Sequence, residues 1–170
     1  MTDFERKFLG HEAIYEELFE QGKIDEAWEK LFDTAKIFDD SEESESMYYW
    51  YLDDILKYSI ETNRFDIGDK YIDIFMKTDL ARADKGVREF RAGVFYYEKG
   101  EMELAAKYLR ITYGMSTARW CFNGKENKKY KDFIKEYIDN EKKANTKICN
   151  NEILVENFEK IWLNHKTYGI

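Results

Sequence analysis

The sequence contains no proline and only nine glycines among its 170 residues. A fold with many strands needs many tight turns, which proline and glycine usually form. No segment shows the sustained alternation of apolar and polar residues that predicts a strand. The scarcity of turn residues therefore argues against a many-stranded fold and favours long helices, so we predict an all-α chain.

Long apolar runs are also lacking, and no stretch of about 18 apolar residues predicts a membrane span. The start of the chain, MTDFERKFLGHEA, lacks the basic and apolar segments of a secretion signal. Cys121 and Cys149 lie far apart, without the spacing of a metal site. We therefore expect a cytoplasmic protein with reduced cysteines and no contact with a membrane.

Residue patterns that carry catalysis are scarce. The two histidines, His11 and His165, lie at opposite ends of the chain, and neither stands beside a nucleophile or a ligand pattern. Asp53 and Asp54 are adjacent on one predicted helix and should point different ways, which predicts solvated charges rather than an acid–base pair. No phosphate-binding loop, dinucleotide motif or zinc motif occurs. We expect no enzymatic activity, no cofactor and no metal.

Acidic and aromatic residues are abundant instead. Charged residues make up 36% of the chain, aromatic residues make up 17%, and the formal net charge is −8. An acidic surface repels phosphate groups, which argues against a nucleic-acid partner. It favours a basic protein partner, although many proteins are acidic without such a role.

Apolar residues recur at helical spacing through most of the chain. The period predicts helices over residues 3–20, 24–38, 47–62, 65–77, 82–98, 101–115, 130–139 and 152–164. Residues 39–46, DDSEESES, predict an exposed linker, and residues 140–151 predict a polar connector. We predict a single domain over residues 1–170, with three helix hairpins in 1–115 and capping helices with a connector in 116–170.

Three turns share one pattern. In each, an apolar residue lies two positions after the turn residue, and a small residue lies five positions after it. The pattern occupies residues 22–27, 63–68 and 100–105, so the turns lie 41 and 37 residues apart. One hairpin cannot bury its apolar face alone, and repeated hairpins therefore stack. In the best-formed hairpin, Gly93 and Ala105 are small enough for the two helices to touch.

The hairpin units resemble tetratricopeptide repeats. The matching positions are Gly93, Tyr96, Gly100, Ala105 and Leu109 in the third unit, Leu56, Asn63, Gly68 and Ile72 in the second, and Tyr15, Gly22, Ala27 and Leu31 in the first. The resemblance covers about residues 8–115. The repeat spacing is longer than the family's usual 34 residues, and the proline that ends its repeats is missing. The resemblance implies antiparallel helix hairpins stacked as a short right-handed solenoid with C-terminal capping helices.

The same resemblance implies a binding groove lined by the first helix of each hairpin. The groove positions of the first two units fall on Glu12, Glu16, Phe19, Glu20, Trp50, Asp53, Lys57 and Glu61. Acidic and aromatic side chains suit a basic protein or peptide, through charge pairing and cation–π contacts. Core packing is the equal alternative for Trp50, and a solvated face is the alternative for the glutamates.

The groove positions of the third unit fall on Phe90, Val94 and Tyr97. These side chains are apolar, and the exposed end of a solenoid needs a cover to stay soluble. We therefore expect the helices after residue 115 to cover them as a cap.

A second resemblance lies downstream. The segments 119–122, RWCF, and 129–133, KYKDF, are similar to the tail of small bacterial repeat proteins, some of which are immunity proteins that sit beside toxin genes. This resemblance implies a bacterial protein that binds and neutralises a basic protein such as a toxin. A general adaptor or chaperone-like scaffold and a peptide-sensing regulator are the alternatives.

Overall fold

The computed structural model describes residues 1–38, 42–78 and 86–144. These residues are largely helical and contain no strand, so the chain is all-α as the sequence predicts. No helix in this part of the chain is long and apolar enough to cross a membrane. The chain divides into two compact units, Met1–Asn123 and Gly124–Ile170.

The helices of the first unit are α1 (Asp3–Glu20), α2 (Ile24–Thr34), α3 (Glu42–Glu61), α4 (Phe65–Phe75), α5 (Val87–Lys99) and α6 (Met102–Gly114). Short 3₁₀ segments follow α2 and α6, at Ala35–Ile37 and Ser116–Phe122. In the second unit, helix α7 spans residues 128–144. The predicted helix over residues 152–164 lies outside the described residues, as does Cys149.

Three hairpins, α1–α2, α3–α4 and α5–α6, are each closed by a tight turn whose central residue is left-handed. The φ angle is 72° at Gly22, 55° at Asn63 and 90° at Gly100. The amide N–H of the following residue donates to a carbonyl of the preceding helix, with N–O distances between 2.8 and 2.9 Å. Glycine tolerates this helix ending best, and asparagine is the usual substitute. The repeated turns predicted from the sequence are therefore confirmed.

Two glycines mark the places where helices approach most closely. A Cβ atom at Gly93 would lie 2.6 Å from Cγ of Leu109, which is on the neighbouring helix α6. A Cβ atom at Gly68 would overlap the ring of Phe95, so α4 packs on α5 at this point. Because real Cβ atoms do not approach so closely, glycine sets the spacing of these helices.

Two predicted boundaries were wrong, both in polar segments. Helix α3 begins at Glu42, so much of the predicted linker 39–46 is helical, and Ser44 within it is buried. Helix α7 continues to residue 144, into the predicted connector 140–151. Acidic residues are stabilised at a helix N-terminus, and lysine, glutamate and alanine propagate a helix well. Polar composition alone therefore did not indicate a loop.

Aromatic side chains fill much of the core of the first unit. Tyr49 and Tyr51 are almost fully buried, and the ring of Tyr49 stacks on that of Phe75 with centroids 5.1 Å apart. Trp50, between the two tyrosines, is 40% exposed. The first helices of the hairpins contact one another in chain order, α1 with α3 and α3 with α5. These three helices therefore form one layer, and the contacts across it build the candidate site.

Candidate functional site

Charged and phenolic side chains meet where α1, α3 and α5 contact one another. We call this group the charged cluster, and its members are Glu12, Tyr15, Glu16, Asp53, Asp54, Lys57, Tyr58 and Arg91. Four of them are groove residues predicted from the sequence, namely Glu12, Glu16, Asp53 and Lys57. The structure thus brings half of the predicted set together.

The first part of the cluster is a hydrogen bond that joins the core of α1 to α3. The phenol of Tyr15, which is fully buried, donates to Oδ2 of Asp54 over 2.6 Å. The half-buried carboxyl group of Glu12 is close enough for its charge to act on Asp54.

Burial, together with the charges of Glu12 and Asp53, raises the pKa of Asp54 to about 7, although the bond from Tyr15 acts in the opposite direction. Burial and the neighbouring Glu16 also raise the pKa of Glu12. Asp54 is therefore partly protonated near neutral pH.

The second part of the cluster joins Glu16 to α3. Oε1 of Glu16 lies 3.4 Å from Nζ of Lys57 and accepts a hydrogen bond from the phenol of Tyr58 over 3.2 Å. Nζ of Lys57 lies 3.1 Å from that same phenol oxygen. Burial alone would lower the pKa of Lys57, but these hydrogen bonds and the nearby carboxylates raise it overall. Glu16 therefore has a cation within its own chain.

The third part joins α3 to α5. The guanidinium of Arg91 donates to both carboxylate oxygens of Asp53, with Nε–Oδ1 and Nη2–Oδ2 distances of 2.6 and 2.8 Å. The side chain of Asp53 is 14% exposed and that of Arg91 is 29% exposed. Two-pronged pairing of this kind fixes both side chains in orientation. Asp53, one of the predicted groove residues, is thus already paired with a cation of the protein, Arg91.

The expectation that Asp53 and Asp54 are solvated charges was wrong. The two carboxylates do point different ways, as adjacent residues on a helix must, but each meets a partner on a neighbouring helix. Asp53 faces α5, and Asp54 faces α1. Their partners Arg91 and Tyr15 lie 38 and 39 residues away in the sequence, and helical periodicity on one helix does not reveal such pairs.

A pocket of about 340 Å³ opens beside the cluster, between the first half of α1 and the start of α3. Its lining residues are Met1, Glu5, Phe8, Leu9, Glu12, Met47 and Trp50. Leu9 and Trp50 are partly exposed, at 45% and 40%. The carboxylate of Glu5 accepts a hydrogen bond from the backbone N–H of Thr2 as part of a capping box. The same carboxylate lies 3.6 Å from the ammonium group of Met1, so Glu5 is already paired within the lining. The pocket is therefore lined by apolar side chains, by the paired Glu5 and by the carboxyl group of Glu12.

Three of the remaining predicted groove residues, Phe19, Glu20 and Glu61, lie near the C-terminal ends of α1 and α3. Phe19 stacks on Tyr58, with ring centroids 3.8 Å apart, so its role is mainly in packing. Glu20 and Glu61 are exposed at the helix ends. The structure thus places Glu20 and Glu61 on the surface, and it places Trp50 beside Glu12 at the pocket.

The apolar groove face of the third unit is contacted by a residue that follows soon after it in the sequence. Phe122, in the 3₁₀ segment Ser116–Phe122, contacts Phe90 edge to face with ring centroids 5.2 Å apart. Val94 is only 6% exposed, and Tyr97 is half-buried. Phe90 is therefore contacted from the segment directly after α6, where the sequence predicts no helix. The covering of this face by later helices stays a prediction.

The structure shows four cluster members that sequence reasoning missed, namely Tyr15, Asp54, Tyr58 and Arg91. The repeat pattern indicates Tyr15 only as a matching position and does not indicate Tyr58, yet the hydroxyl groups of both residues form polar contacts. No group of three or more potential metal ligands occurs in the described ranges. Cys121 is buried and is not part of a disulfide. The arrangement is therefore suited to holding and pairing charges.

Comparison with known proteins adds no relative from which a role could be transferred. No protein-family model matches the chain, and no curated protein or solved structure matches it either.

Proposed function

We propose that this chain is a non-catalytic protein-binding module of the tetratricopeptide-like kind, which binds a basic segment of a partner protein. The proposal rests mainly on one observation: Glu12 and the partly exposed Trp50 line the same pocket. An aromatic ring next to a carboxylate is the combination that attracts a cationic side chain. Exposed tryptophans are also frequent anchors of protein interfaces.

Ion pairs within the chain reduce the number of groove acids that could bind a partner. Lys57 pairs with Glu16, and Arg91 pairs with Asp53, so these two acids already have cations. Glu12, Glu20 and Glu61 are the acids of the predicted groove that remain for a partner. The binding surface we propose therefore consists of these three glutamates and Trp50.

A basic toxin is the partner class that the acidic composition favours most. The net charge of −8 would accelerate association with a basic protein through long-range attraction. A general adaptor that captures a C-terminal carboxylate would need unpaired cations in the groove, whereas Lys57 and Arg91 both face carboxylates. The neutralising, immunity-type role is therefore preferred over the adaptor role.

The test compares two double variants with the same change in charge. Glu20→Lys/Glu61→Lys reverses the exposed acids on α1 and α3, and Glu29→Lys/Asp73→Lys reverses exposed acids on α2 and α4. Binding to a library of basic peptides, and to its charge-reversed counterpart, is measured by fluorescence anisotropy. Glu20 and Glu61 lie at helix C-termini, where a cation is favourable, so their reversal should not unfold the protein.

We expect the wild type to bind members of the basic library and not the acidic one, with affinity falling as salt is added. The α1/α3 variant should bind about tenfold more weakly, and the α2/α4 variant should bind like the wild type. Equal losses in the two variants would show a general charge effect and would refute the assigned surface.

A further inference from the structure

The pocket beside Trp50 has a polarity that indicates a particular occupant. Phe8, Leu9 and Met47 supply apolar surface along the walls. Glu12 supplies a carboxylate, and Trp50 supplies a partly exposed indole ring. A volume of about 340 Å³ lies at the small end of the range for ligand pockets. Such a pocket suits a side chain rather than a folded domain.

The side chain of Glu12 is half-buried, which restricts it before any partner binds. A restricted carboxylate loses less side-chain entropy on binding, which strengthens its contact with a cation. Next to it, the fully buried phenol of Tyr15 donates to Asp54 and joins α1 to α3.

A second exposed apolar surface carries charges of the opposite sign. Exposed apolar side chains occur on α6 and on the 3₁₀ segment after it, for example at Ile111 and Trp120. The residues that precede them, Arg110 and Arg119, are exposed and basic, so this surface does not favour a basic segment. The pocket differs because its apolar walls and its carboxylate together specify a long side chain with a cationic end.

We propose that this pocket receives a single arginine side chain of the basic partner segment. The aliphatic stem would lie against Phe8, Leu9 and Met47, and the guanidinium would lie between the indole of Trp50 and the carboxylate of Glu12. Arginine suits this geometry better than lysine, because a planar guanidinium stacks on an aromatic ring while donating two hydrogen bonds to a carboxylate. The inference rests on the proposed function, and it names the side chain that the module recognises.

The test uses short glycine–serine peptides that differ only in one central residue: arginine, citrulline, lysine or norleucine. Citrulline keeps the shape of arginine without its charge, and norleucine keeps only an aliphatic stem. Binding of each peptide to the full chain is measured by two-dimensional NMR and by tryptophan fluorescence. The variants are Glu12→Gln and Trp50→Leu, with Glu29→Gln on α2 as the matched control.

Glu12→Gln should fold normally, because Glu12 lies beside Asp54 and Glu16 and its neutralisation relieves repulsion. We expect the arginine peptide to bind the wild type at least about tenfold more tightly than the citrulline peptide, and several-fold more tightly than the lysine peptide. Glu12→Gln should weaken arginine binding about tenfold, and Trp50→Leu should weaken it about fivefold. Glu29→Gln should leave it unchanged.

Two kinds of result would overturn the inference, and they differ in what they mean for the proposed function. Equal binding of arginine and lysine peptides, or of arginine and citrulline peptides, would show that the pocket does not select a guanidinium. If longer basic peptides bound wild type and Glu12→Gln equally, the arginine pocket would be wrong while the basic-segment function stood. If no basic peptide bound at all, both would be wrong.

Discussion

The buried phenol of Tyr15 donates a hydrogen bond to Oδ2 of Asp54 over 2.6 Å, and this bond joins the first hairpin to the second. The donor lies on α1 and the acceptor on α3, 39 residues later in the sequence. The charge of Glu12, which lines the pocket, acts on Asp54. A contact that supports the fold therefore lies next to the proposed binding surface.

Tyr15→Phe should destabilise the protein by about 1.5–3 kcal/mol, because a buried carboxyl group loses a hydrogen-bond donor. The loss should be greater at pH 8, where Asp54 is ionised, than at pH 5. Urea denaturation of Tyr15→Phe, Asp54→Asn and the double variant measures the coupling between the two residues. If the effects of the two single changes on the free energy of unfolding simply added in the double variant, the hydrogen bond would not contribute to stability.

The titration of Asp54 should make the fold less stable as the pH rises. Its pKa is about 7 in the folded chain and 3.8 in the reference state, so the folded chain holds one more proton between these values. The free energy of unfolding should therefore fall from about pH 4 to pH 7 and then level, by up to about 4 kcal/mol from this group alone.

Asp54→Asn, which cannot ionise, isolates this effect from other titrating groups. The groups that face Asp54 are Glu12 and Tyr15 from α1, Asp53 and Lys57 from α3, and Arg91 from α5, and all of them remain in the variant. We expect Asp54→Asn to match the wild type near pH 4 and to exceed it in stability at pH 8, in denaturant titrations at each pH. If the free energies of unfolding of the variant and the wild type changed with pH in parallel, Asp54 would not be the titrating group.

Removal of the Arg91 guanidinium should lower the free energy of unfolding much more than removal of an exposed guanidinium. Arg91→Met leaves Asp53, whose side chain is 14% exposed, without its partner, and we expect a loss of about 3 kcal/mol. Arg6→Met breaks a pair with Asp3 in which the side chains are 64% and 97% exposed, and should cost less than about 1 kcal/mol. Chemical denaturation measures both, and similar losses would show that the Asp53 pair is not protected from water.

Two glycine-to-alanine changes should shift stability in opposite directions. Gly93→Ala forces a methyl group against Leu109 and should destabilise the protein by about 1–3 kcal/mol. Gly10→Ala, within α1, meets no atom within 4 Å and should stabilise it by up to about 1 kcal/mol. Thermal denaturation measures both changes. Stabilisation by Gly93→Ala would mean that α5 and α6 do not pack as closely as described.

The helices and their turns could be predicted well from the sequence, because both depend on residues close together in the chain. Apolar spacing located α1 to α6, and the turn residues at 22, 63 and 100 adopt the left-handed conformation that their pattern indicates. The start of α3 could not be located in this way. Residues 42–46 are polar and acidic, a composition that is common to linkers and to helix N-termini.

The candidate site could be predicted only in part, because its decisive contacts join residues about 40 positions apart. The resemblance to tetratricopeptide repeats implies which side of each first helix faces the groove. Two of the residues that it indicates, Glu12 and Trp50, line the pocket. It did not show that Arg91 neutralises Asp53 or that Tyr15 anchors Asp54. Such pairs depend on how the hairpins pack on one another, which no single helix encodes.

The measurement that tests the account most directly is an NMR titration of the full chain with a basic peptide selected from the library. Backbone amide shifts report which helices the peptide contacts. We predict that the perturbed residues concentrate on α1 and α3 around Glu12 and Trp50, and that adding salt reverses the shifts. Shifts concentrated on α2, α4 and α6, or no shifts with any basic peptide, would contradict the claim that the layer of first helices binds a basic partner.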